Sequence, residues 1–219
     1  MGQRLLPRYS IGFVIAALTF AAPAQAQSSA VSALSNAARA VERVAQARQA
    51  KKISQRFDPT FRKYTKRYFG PAFDWRYFKA QGFAESGLKP TATSWVGARG
   101  IMQLMPSTYH EIASHRPEFG PIDQPEWNIA AGIMHDRYLW DLWRKNIDED
   151  DRHHFMFASY NAGEGTINRA LAAALKKGGG PEWSSVERIA PSVQRWRYTE
   201  TLGYVRRIDS TYAKLAGNP

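Results

Sequence analysis

From Phe57 onward, the chain divides into segments bounded by helix-start and helix-stop residues, and no alternating apolar–polar pattern exceeds four residues. A half-buried strand needs that alternation, whereas Pro near the start of a segment and Gly after its end are typical of helices. The pattern therefore predicts a mostly α fold, with at most a small β element near residues 90–100, where Pro, Thr, Ser and Gly concentrate. The predicted helices run from Asp58 to about Tyr68, Asp74 to Ser86, Pro106 to about Ser114, Pro125 to about Lys145, Asp150 or Asp151 to Asn161, Thr166 to Lys177, and about Tyr198 to Leu215.

The first 26 residues have the layout of a secretory signal peptide. Arg4 and Arg8 give a positive start, Ile11 to Ala22 is a mostly apolar run, and Ala24-Gln25-Ala26 supplies a small-x-small cleavage site. A transmembrane anchor is the alternative, but the run is short for a span of about 20 residues. We therefore predict cleavage after Ala26 and a periplasmic protein, with association to the membrane or outer wall left open.

The following segment, residues 27–55, is rich in Ser, Ala, Gln and Arg and has no aromatic residue. It is expected to be a spacer or a marginal helix. All seven Trp, and all ten Tyr except Tyr9, lie beyond Phe57, so the aromatic side chains that build a large core begin there. One domain is thus expected over residues 56–219.

The charge balance is strongly basic, with 30 Lys and Arg against 19 Asp and Glu. Without Arg4 and Arg8, 28 basic and 19 acidic residues leave a charge of +9. Such an excess favours an acidic partner or serves only solubility. Export disfavours nucleic acid and favours an acidic wall polymer. The absence of Cys excludes disulfides, thiolate chemistry and Cys-based metal sites.

Glu85 is the single acidic residue between Trp75 and His110, in a window rich in apolar side chains. A carboxyl group in such surroundings tends to lose hydration, which raises its pKa and lets it act as a general acid near neutral pH. The alternative is an ordinary surface glutamate, or one that is paired with a nearby basic residue. The basic candidates are Arg76, Lys79 and Arg99.

His153-His154, beside Asp150 and Asp151, is the one sequence cluster that resembles a metal site. Adjacent residues of a helix are expected to point to different faces, so joint ligation has poor geometry. We therefore expect no metal and no cofactor.

Four motifs, in order along the chain, bear on the interpretation of Glu85. They are Glu85 to Pro90 with Ser94 and Gly97 to Pro106; Asn128-Ile129 with Gly132 and Tyr138-Leu139; Ala158 to Gly163; and Glu200-Thr201 with Tyr204-Val205. Together these motifs resemble the soluble-lytic-transglycosylase (SLT) domain over about residues 56–212, and the stretch before Trp75 looks most like the membrane-bound F-type members. Ile101 stands where the family has Leu, and Trp95 where it has Pro.

The resemblance implies a lysozyme-like fold and a peptidoglycan lytic transglycosylase, expected to act as a monomer on glycan strands. Glu85 would be the catalytic acid and base, and the products would be 1,6-anhydromuramic ends. The implied substrate-binding residues are Ser86, Ser94, Met102, Gln103, Tyr160, Asn161, Glu200 and Tyr204. Several have plain structural alternatives: Met102 and Tyr204 as core, Ser86 as a helix cap, Asn161 as a helix terminus, and Glu200 as the partner of Arg197 or Arg206.

Two other functions stay open on the sequence. A lysozyme-type hydrolase, like the goose-type enzymes, needs a second carboxylate about 6.5–9.5 Å away if it inverts, and Asp123, Glu164 and Glu200 are the candidates. A non-catalytic wall-binding scaffold of an envelope machine would also suit an aromatic, basic domain. The resemblance leaves a partner in such a machine open for an active enzyme as well.

Overall fold

The computed structural model describes residues 35–45 and 55–217. The chain separates into two compact units, Met1–Lys51 and Lys52–Pro219. In the first, residues 35–45 form helix α1, whose side chains are all exposed. The predicted signal peptide lies outside the described residues, as do residues 27–34 and 46–54 of the predicted 27–55 spacer. Within the described ranges, no helix is both long enough and apolar enough to cross a membrane.

The second unit is built from helices joined by short connections. They are α2 (Asp58–Phe69), α3 (Arg76–Ser86), α4 (Pro106–Ser114), α5 (Pro125–Trp143), α6 (Glu149–Ala162), α7 (Glu164–Lys176), α8 (Trp183–Ile189) and α9 (Tyr198–Ala216), with a 3₁₀ turn at Ala190–Ser192 between α8 and α9. Over residues 55–217 there is no strand, only two isolated bridges, which join Thr93 to Arg99 and Arg99 to Leu104. The predicted mostly α class with a small β element is confirmed.

The predicted helices match this order, but several bounds differ and one helix was missed. α3 begins at Arg76 rather than Asp74, and α7 begins at Glu164 rather than Thr166. α6 begins at Glu149, after Asp148 in extended conformation, so it starts earlier than Asp150 or Asp151. The sequence also missed α8, which has only seven residues. The glycines before it indicate a loop, and a helix this short carries too few residues to display a period.

α5 and α6 occupy the centre of the domain. α5 packs against α2, α4 and α6, while α6 also contacts α7 and α9. The side chains of Ile129, Ile133 and Phe157 on these two helices are completely buried. α9 returns to pack along α3, so the last helix of the chain lies beside the helix that carries Glu85.

Candidate active site

Helix α3 ends one residue after Glu85. Gly87 takes a left-handed conformation with φ 63°, and its N–H bonds back to the carbonyl of Phe83 at 3.0 Å. Leu88 follows, also left-handed at φ 59°, although its side chain is fully buried. A left-handed non-glycine residue costs on the order of 1 kcal/mol and persists only where packing enforces it. The helix end that holds Glu85 is therefore fixed by the core beneath it.

The carboxyl group of Glu85 is partly buried and meets helix α9. The hydroxyl of Tyr204 donates a hydrogen bond to Glu85 Oε1 at 2.5 Å, and only 2% of Tyr204 is exposed. Burial raises the pKa of Glu85 to about 7, although the Tyr204 hydrogen bond and the positive charge of Arg207 both act to lower it. A carboxyl group with this pKa exists in both protonation states near neutral pH, so it can donate a proton and later accept one.

The alternative of an ion-paired Glu85 is not what the structure shows. The three basic candidates pair with other carboxylates: Arg76 with Asp74 at 2.7 Å, Lys79 with Asp58 at 2.6 Å, and Arg99 with Asp123 at 3.3 Å. Within residues 35–45 and 55–217, Arg207 is the one basic residue whose charge acts on Glu85. Because Glu85 is not ion-paired with any of the three basic candidates, burial is the dominant influence on its pKa.

The loop of residues 88–105 follows α3 and is tied to three helices. Ser86 donates through Oγ to the carbonyl of Ile101 at 2.8 Å and accepts from the N–H of Lys89, so it ties the end of α3 to the loop. From α5, Asn128 accepts from the N–H of Met102 at 2.8 Å. From α6, the hydroxyl of Tyr160 donates to the carbonyl of Met102 at 2.7 Å.

Inside the loop, two predicted site residues hold the backbone. Gln103 takes a left-handed conformation at φ 45° and donates to the carbonyls of Gly100 at 2.8 Å and Ala92 at 3.2 Å. Ser94 accepts through Oγ from the N–H of Ala98 at 3.0 Å. Gly100 lies against the Asn128 side chain so closely that a Cβ there would overlap the carboxamide. These contacts make the loop a rigid wall next to Glu85.

The side chains of two predicted substrate-binding residues are buried in the core. Met102 does not line an open groove, because its side chain is completely buried against Gly132. Gly132 leaves room for it, since a Cβ there would lie 2.7 Å from Met102 Cγ. Tyr204 is buried too, but its hydroxyl reaches Glu85. The role assigned to Met102 is thus corrected to packing behind the loop.

Asn161 and Glu200 lie together in a separate cavity of about 230 Å³. Glu200 forms an ion pair with Arg197 at 2.9 Å, and the Glu200 side chain is 47% exposed. Arg195, which lines the same cavity, is left-handed at φ 56°. The predicted site residues therefore fall into two regions: the Glu85 region, with Tyr160, Tyr204 and the loop, and the Glu200 region.

Sequence reasoning missed two residues beneath Glu85. Asp136 of α5 is completely buried, and the charge of Glu85 acts to raise its pKa. Gln81, one turn before Glu85 on α3, donates to Asp136 at 3.2 Å. The signal for Asp136 was its spacing, because it continues the buried face of Ile129 and Ile133 on α5. An acidic residue on such a face is buried.

The prediction that the side chains of His153 and His154 point to different faces of the helix is wrong. The rings of His153 and His154 have centroids 3.8 Å apart, and ligand-type atoms of both rings and of Asp209 lie within 4.8 Å of one another. Burial lowers the pKa of His154, but hydrogen bonds and charges of Asp209 and Asp151 outweigh it, so the net shift is upward. His154 is 3.3 Å from the carboxylate of Asp151 on α6 and 3.3 Å from that of Asp209 on α9, so it links the two helices.

The family model described as the transglycosylase SLT domain matches residues 59–180, more than half of the chain. The chain belongs to this family, as the four motifs predicted. Among curated relatives, the membrane-bound lytic murein transglycosylase F of Pseudomonas fluorescens (strain Pf0-1) is 32% identical over 155 residues, which are 69% of this chain and 30% of the relative. That of Haemophilus influenzae (strain PittGG) is 32% identical over 154 residues, with coverages of 69% and 30%. The chain therefore spans about 30% of the length of these relatives.

Solved structures agree with the fold. The 70 kDa soluble lytic transglycosylase of Escherichia coli superposes with a TM-score of 0.56 at 25% identity, covering 75% of this chain and 25% of that one. An inactive mutant of the lytic transglycosylase Slt of Pseudomonas aeruginosa gives a TM-score of 0.60 at 22% identity, with coverages of 75% and 25%. The lysozyme-like fold predicted from the motifs is confirmed.

Proposed function

We propose that this protein is a peptidoglycan lytic transglycosylase in which Glu85 alone serves as acid and then base. The single observation that carries the proposal is a partly accessible carboxyl group whose pKa burial raises to about 7. It stands at the end of α3 in an SLT-family domain, with the hydroxyl of Tyr204 on its Oε1 atom. Family membership supplies the substrate class, and the acidity of Glu85 supplies the chemistry.

In the first step, protonated Glu85 gives its proton to the oxygen that bridges N-acetylmuramic acid and N-acetylglucosamine. The bond from that oxygen to the muramyl C1 breaks, and the N-acetyl group of the substrate stabilises C1, as in other substrate-assisted glycosidases. In the second step, ionised Glu85 takes the proton of the muramyl C6 hydroxyl, whose oxygen bonds to C1. The product is a 1,6-anhydro sugar, Glu85 regains its proton, and no water is consumed.

Tyr204 suits the second step. Its hydrogen bond favours the ionised form of Glu85, so it moderates the effect of burial on the pKa. Tyr160 acts on the loop through its bond to the Met102 carbonyl, and in our proposal it keeps the wall of the cleft in place. Ser94 and Gln103 position the same loop for the N-acetyl groups of the glycan.

The hydrolase alternative finds little support around Glu85. A water-activating carboxylate must reach water on the far side of the sugar. Asp123 is engaged with Arg99, Glu200 with Arg197 and Glu164 with Tyr138. None of these three carboxylates is among the described groups that act on Glu85. The acidic residue that does interact with Glu85, Asp136, is completely buried and out of reach of such a water.

An acidic glycan also fits the surface beside the site. A depression of about 610 Å³ between α3 and α9 is lined by Ala84, next to Glu85, and by Arg206, Arg207 and Lys214. Carboxylates on peptide stems would meet these cations beside the catalytic group, since the charge of Arg207 acts on Glu85. A periplasmic location follows as part of the proposal, because peptidoglycan lies there and the relatives are named membrane-bound murein enzymes. A monomer suffices for this chemistry, and a partner in an envelope machine stays outside the proposal.

The test is mass spectrometry of muropeptides released from purified sacculi. We expect 1,6-anhydromuramic ends from the protein and none from Glu85→Gln, while Glu149→Gln, an exposed glutamate of α6, retains activity. Reducing ends in place of anhydro ends would identify a hydrolase. Sacculus binding without any release by the wild-type protein would identify a wall-binding scaffold.

A further inference from the structure

Asp136 and Gln81 form a polar pair inside the core. Asp136 of α5 and Gln81 of α3 are both 0% exposed, and Gln81 Nε2 donates to Asp136 Oδ1 at 3.2 Å. Two atoms of this pair, Gln81 Oε1 and Asp136 Oδ2, are buried and have no hydrogen-bond partner. If Asp136 is ionised, both of these atoms are acceptors and neither has a donor.

A single proton resolves both deficits. A protonated Asp136 carries an O–H donor, and the unpartnered acceptor on its neighbour is Gln81 Oε1. The carboxylic acid and the carboxamide then exchange two hydrogen bonds, one in each direction, and no polar atom of the pair is left unmatched. Leaving a buried polar group unmatched costs about 1–3 kcal/mol, and a buried unpaired charge costs more, so the core strongly favours the protonated arrangement.

Among the residues that the structure describes, the groups that face Asp136 from the other helices are not cations. Glu85 faces it from α3, Tyr160 from α6 and Tyr204 from α9. Burial raises the pKa of Asp136 well above its ordinary value and the charge of Glu85 adds to this, while the Gln81 hydrogen bond opposes it.

We infer that Asp136 is a neutral carboxylic acid in the folded protein, joined to Gln81 by two hydrogen bonds, and that it is a positioning residue for Glu85. The pair fixes α3 to α5 one turn before the catalytic group without placing a second negative charge beside it. This matters in the step where Glu85 must ionise, because a neighbouring carboxylate would oppose that ionisation. The positioning role rests on the proposed function of Glu85, whereas the protonation of Asp136 does not.

Proton linkage tests the protonation directly. An unfolded Asp136 has an ordinary pKa near 3.8, so between pH 5 and 7 unfolding releases its proton, and through this group alone each pH unit favours unfolding about tenfold. Asp136→Asn keeps both hydrogen bonds through its amide and releases no proton. We expect the ratio of the wild-type to the Asp136→Asn unfolding constant, from urea titrations of the full chain, to rise about tenfold per pH unit. A ratio that is constant with pH would overturn the inference.

Two controls test whether the pH dependence of the ratio comes from Asp136. Glu85 is present in both proteins, so its own proton release cancels in the ratio. Asp141→Asn removes an exposed carboxylate, paired with Arg137, from the same helix and reports what loss of a charge from α5 does. If Asp136→Asn does not fold, isotope-edited infrared spectroscopy of the wild-type protein with ¹³C-labelled aspartate decides the matter at pH 7. The carbonyl band of a protonated aspartic acid supports the inference, and its absence overturns it.

The positioning role has a separate readout. We expect Asp136→Asn to keep wild-type kcat and an unchanged pH profile, and Asp136→Ala to lose at least tenfold in kcat. If Asp136 were ionised, Asp136→Asn would remove a negative charge and move the loss of activity to lower pH. A wild-type kcat in Asp136→Ala would refute positioning. Failure of the proposed function is seen separately, as lytic activity that survives Glu85→Gln.

Discussion

The Glu85 region and the Glu200 region both contain a glutamate from the same set of motifs, yet their surroundings differ. Glu85 has a buried phenol on its carboxyl group and a pKa that burial raises to about 7. Glu200 is about half exposed and holds Arg197 at 2.9 Å. Such exposed ion pairs contribute at most about 1 kcal/mol to stability. Membership of a motif therefore does not determine the chemistry of a glutamate, because that chemistry depends on how far its carboxyl group is exposed to water.

The largest expected effect is at Glu85, and it distinguishes this glutamate from Glu200. Glu85→Gln removes the group that gives and then takes a proton in the proposed mechanism, so we expect kcat on sacculi to fall at least about a thousandfold. Binding to sacculi should survive, because the amide keeps the shape of the side chain. Turbidity assays and pull-down with insoluble sacculi measure the two properties. Substantial lysis by Glu85→Gln would remove Glu85 from its role.

The pH dependence of the wild-type enzyme tests the acidity of Glu85. Its pKa is raised, so the protonated acid needed in the first step is present below about pH 7 and is lost above it. We expect kcat/KM to fall about tenfold for each pH unit above that point. A soluble glycan substrate and stopped-time product analysis give the profile. Activity that stays level to pH 9 would mean that Glu85 is not the acid.

Tyr204→Phe tests whether the Tyr204 hydrogen bond acts on the pKa of Glu85. The Tyr204 hydrogen bond lowers the pKa of Glu85, so its loss should move the fall in kcat/KM to higher pH. The rate at neutral pH should drop about tenfold, since a hydrogen bond to a charged group is worth about 1.5 kcal/mol or more. Tyr198→Phe on the same helix is the matched control. A profile unmoved in Tyr204→Phe would show that this bond does not act on the titrating group.

Packing behind the two regions should also differ. Gly132→Ala places a Cβ 2.7 Å from Met102 Cγ beneath the loop of residues 88–105, so we expect a loss of about 1–3 kcal/mol in the free energy of unfolding. Gly165→Ala, next to the Glu200 region, has its nearest atom at 4.0 Å in a helix and should be neutral or slightly stabilising. Urea unfolding compares them. Equal stabilities would contradict the close packing of Met102.

The smallest effect is expected at Glu200. Glu200→Gln removes an exposed ion pair with Arg197, so kcat should change by less than about threefold, with less than about 1 kcal/mol of stability lost. The same turbidity and urea assays apply. A loss as large as that of Glu85→Gln would show that both glutamates take part in the chemistry and would revive a two-carboxylate mechanism.

Local patterns predicted most of the fold because caps and breakers act on neighbouring residues. Gly87 ends α3 where the sequence placed the end, and Pro106 and Pro125 begin α4 and α5 as predicted. The short helix α8 was missed because its seven residues do not span enough turns to show a pattern. Helix existence followed from sequence wherever the segment was long.

The site was less predictable because it depends on distant pairs. The bond between Tyr204 and Glu85 joins residues 119 positions apart, and only the family resemblance associated them. Met102 was misassigned because an apolar residue beside site residues has the same pattern whether it lines a groove or fills a core. Asp136 was overlooked although its spacing from Ile129 and Ile133 places it on the buried face of α5.

The central claim is that Glu85 acts alone and that the C6 hydroxyl of the substrate, not water, attacks C1. Digestion of sacculi in H₂¹⁸O, followed by mass spectrometry of the released muropeptides, tests it most directly. Our account predicts 1,6-anhydro products that carry no ¹⁸O at C1. Products with a reducing end and one ¹⁸O atom at C1 would contradict it, because a water molecule would then have been activated at the site.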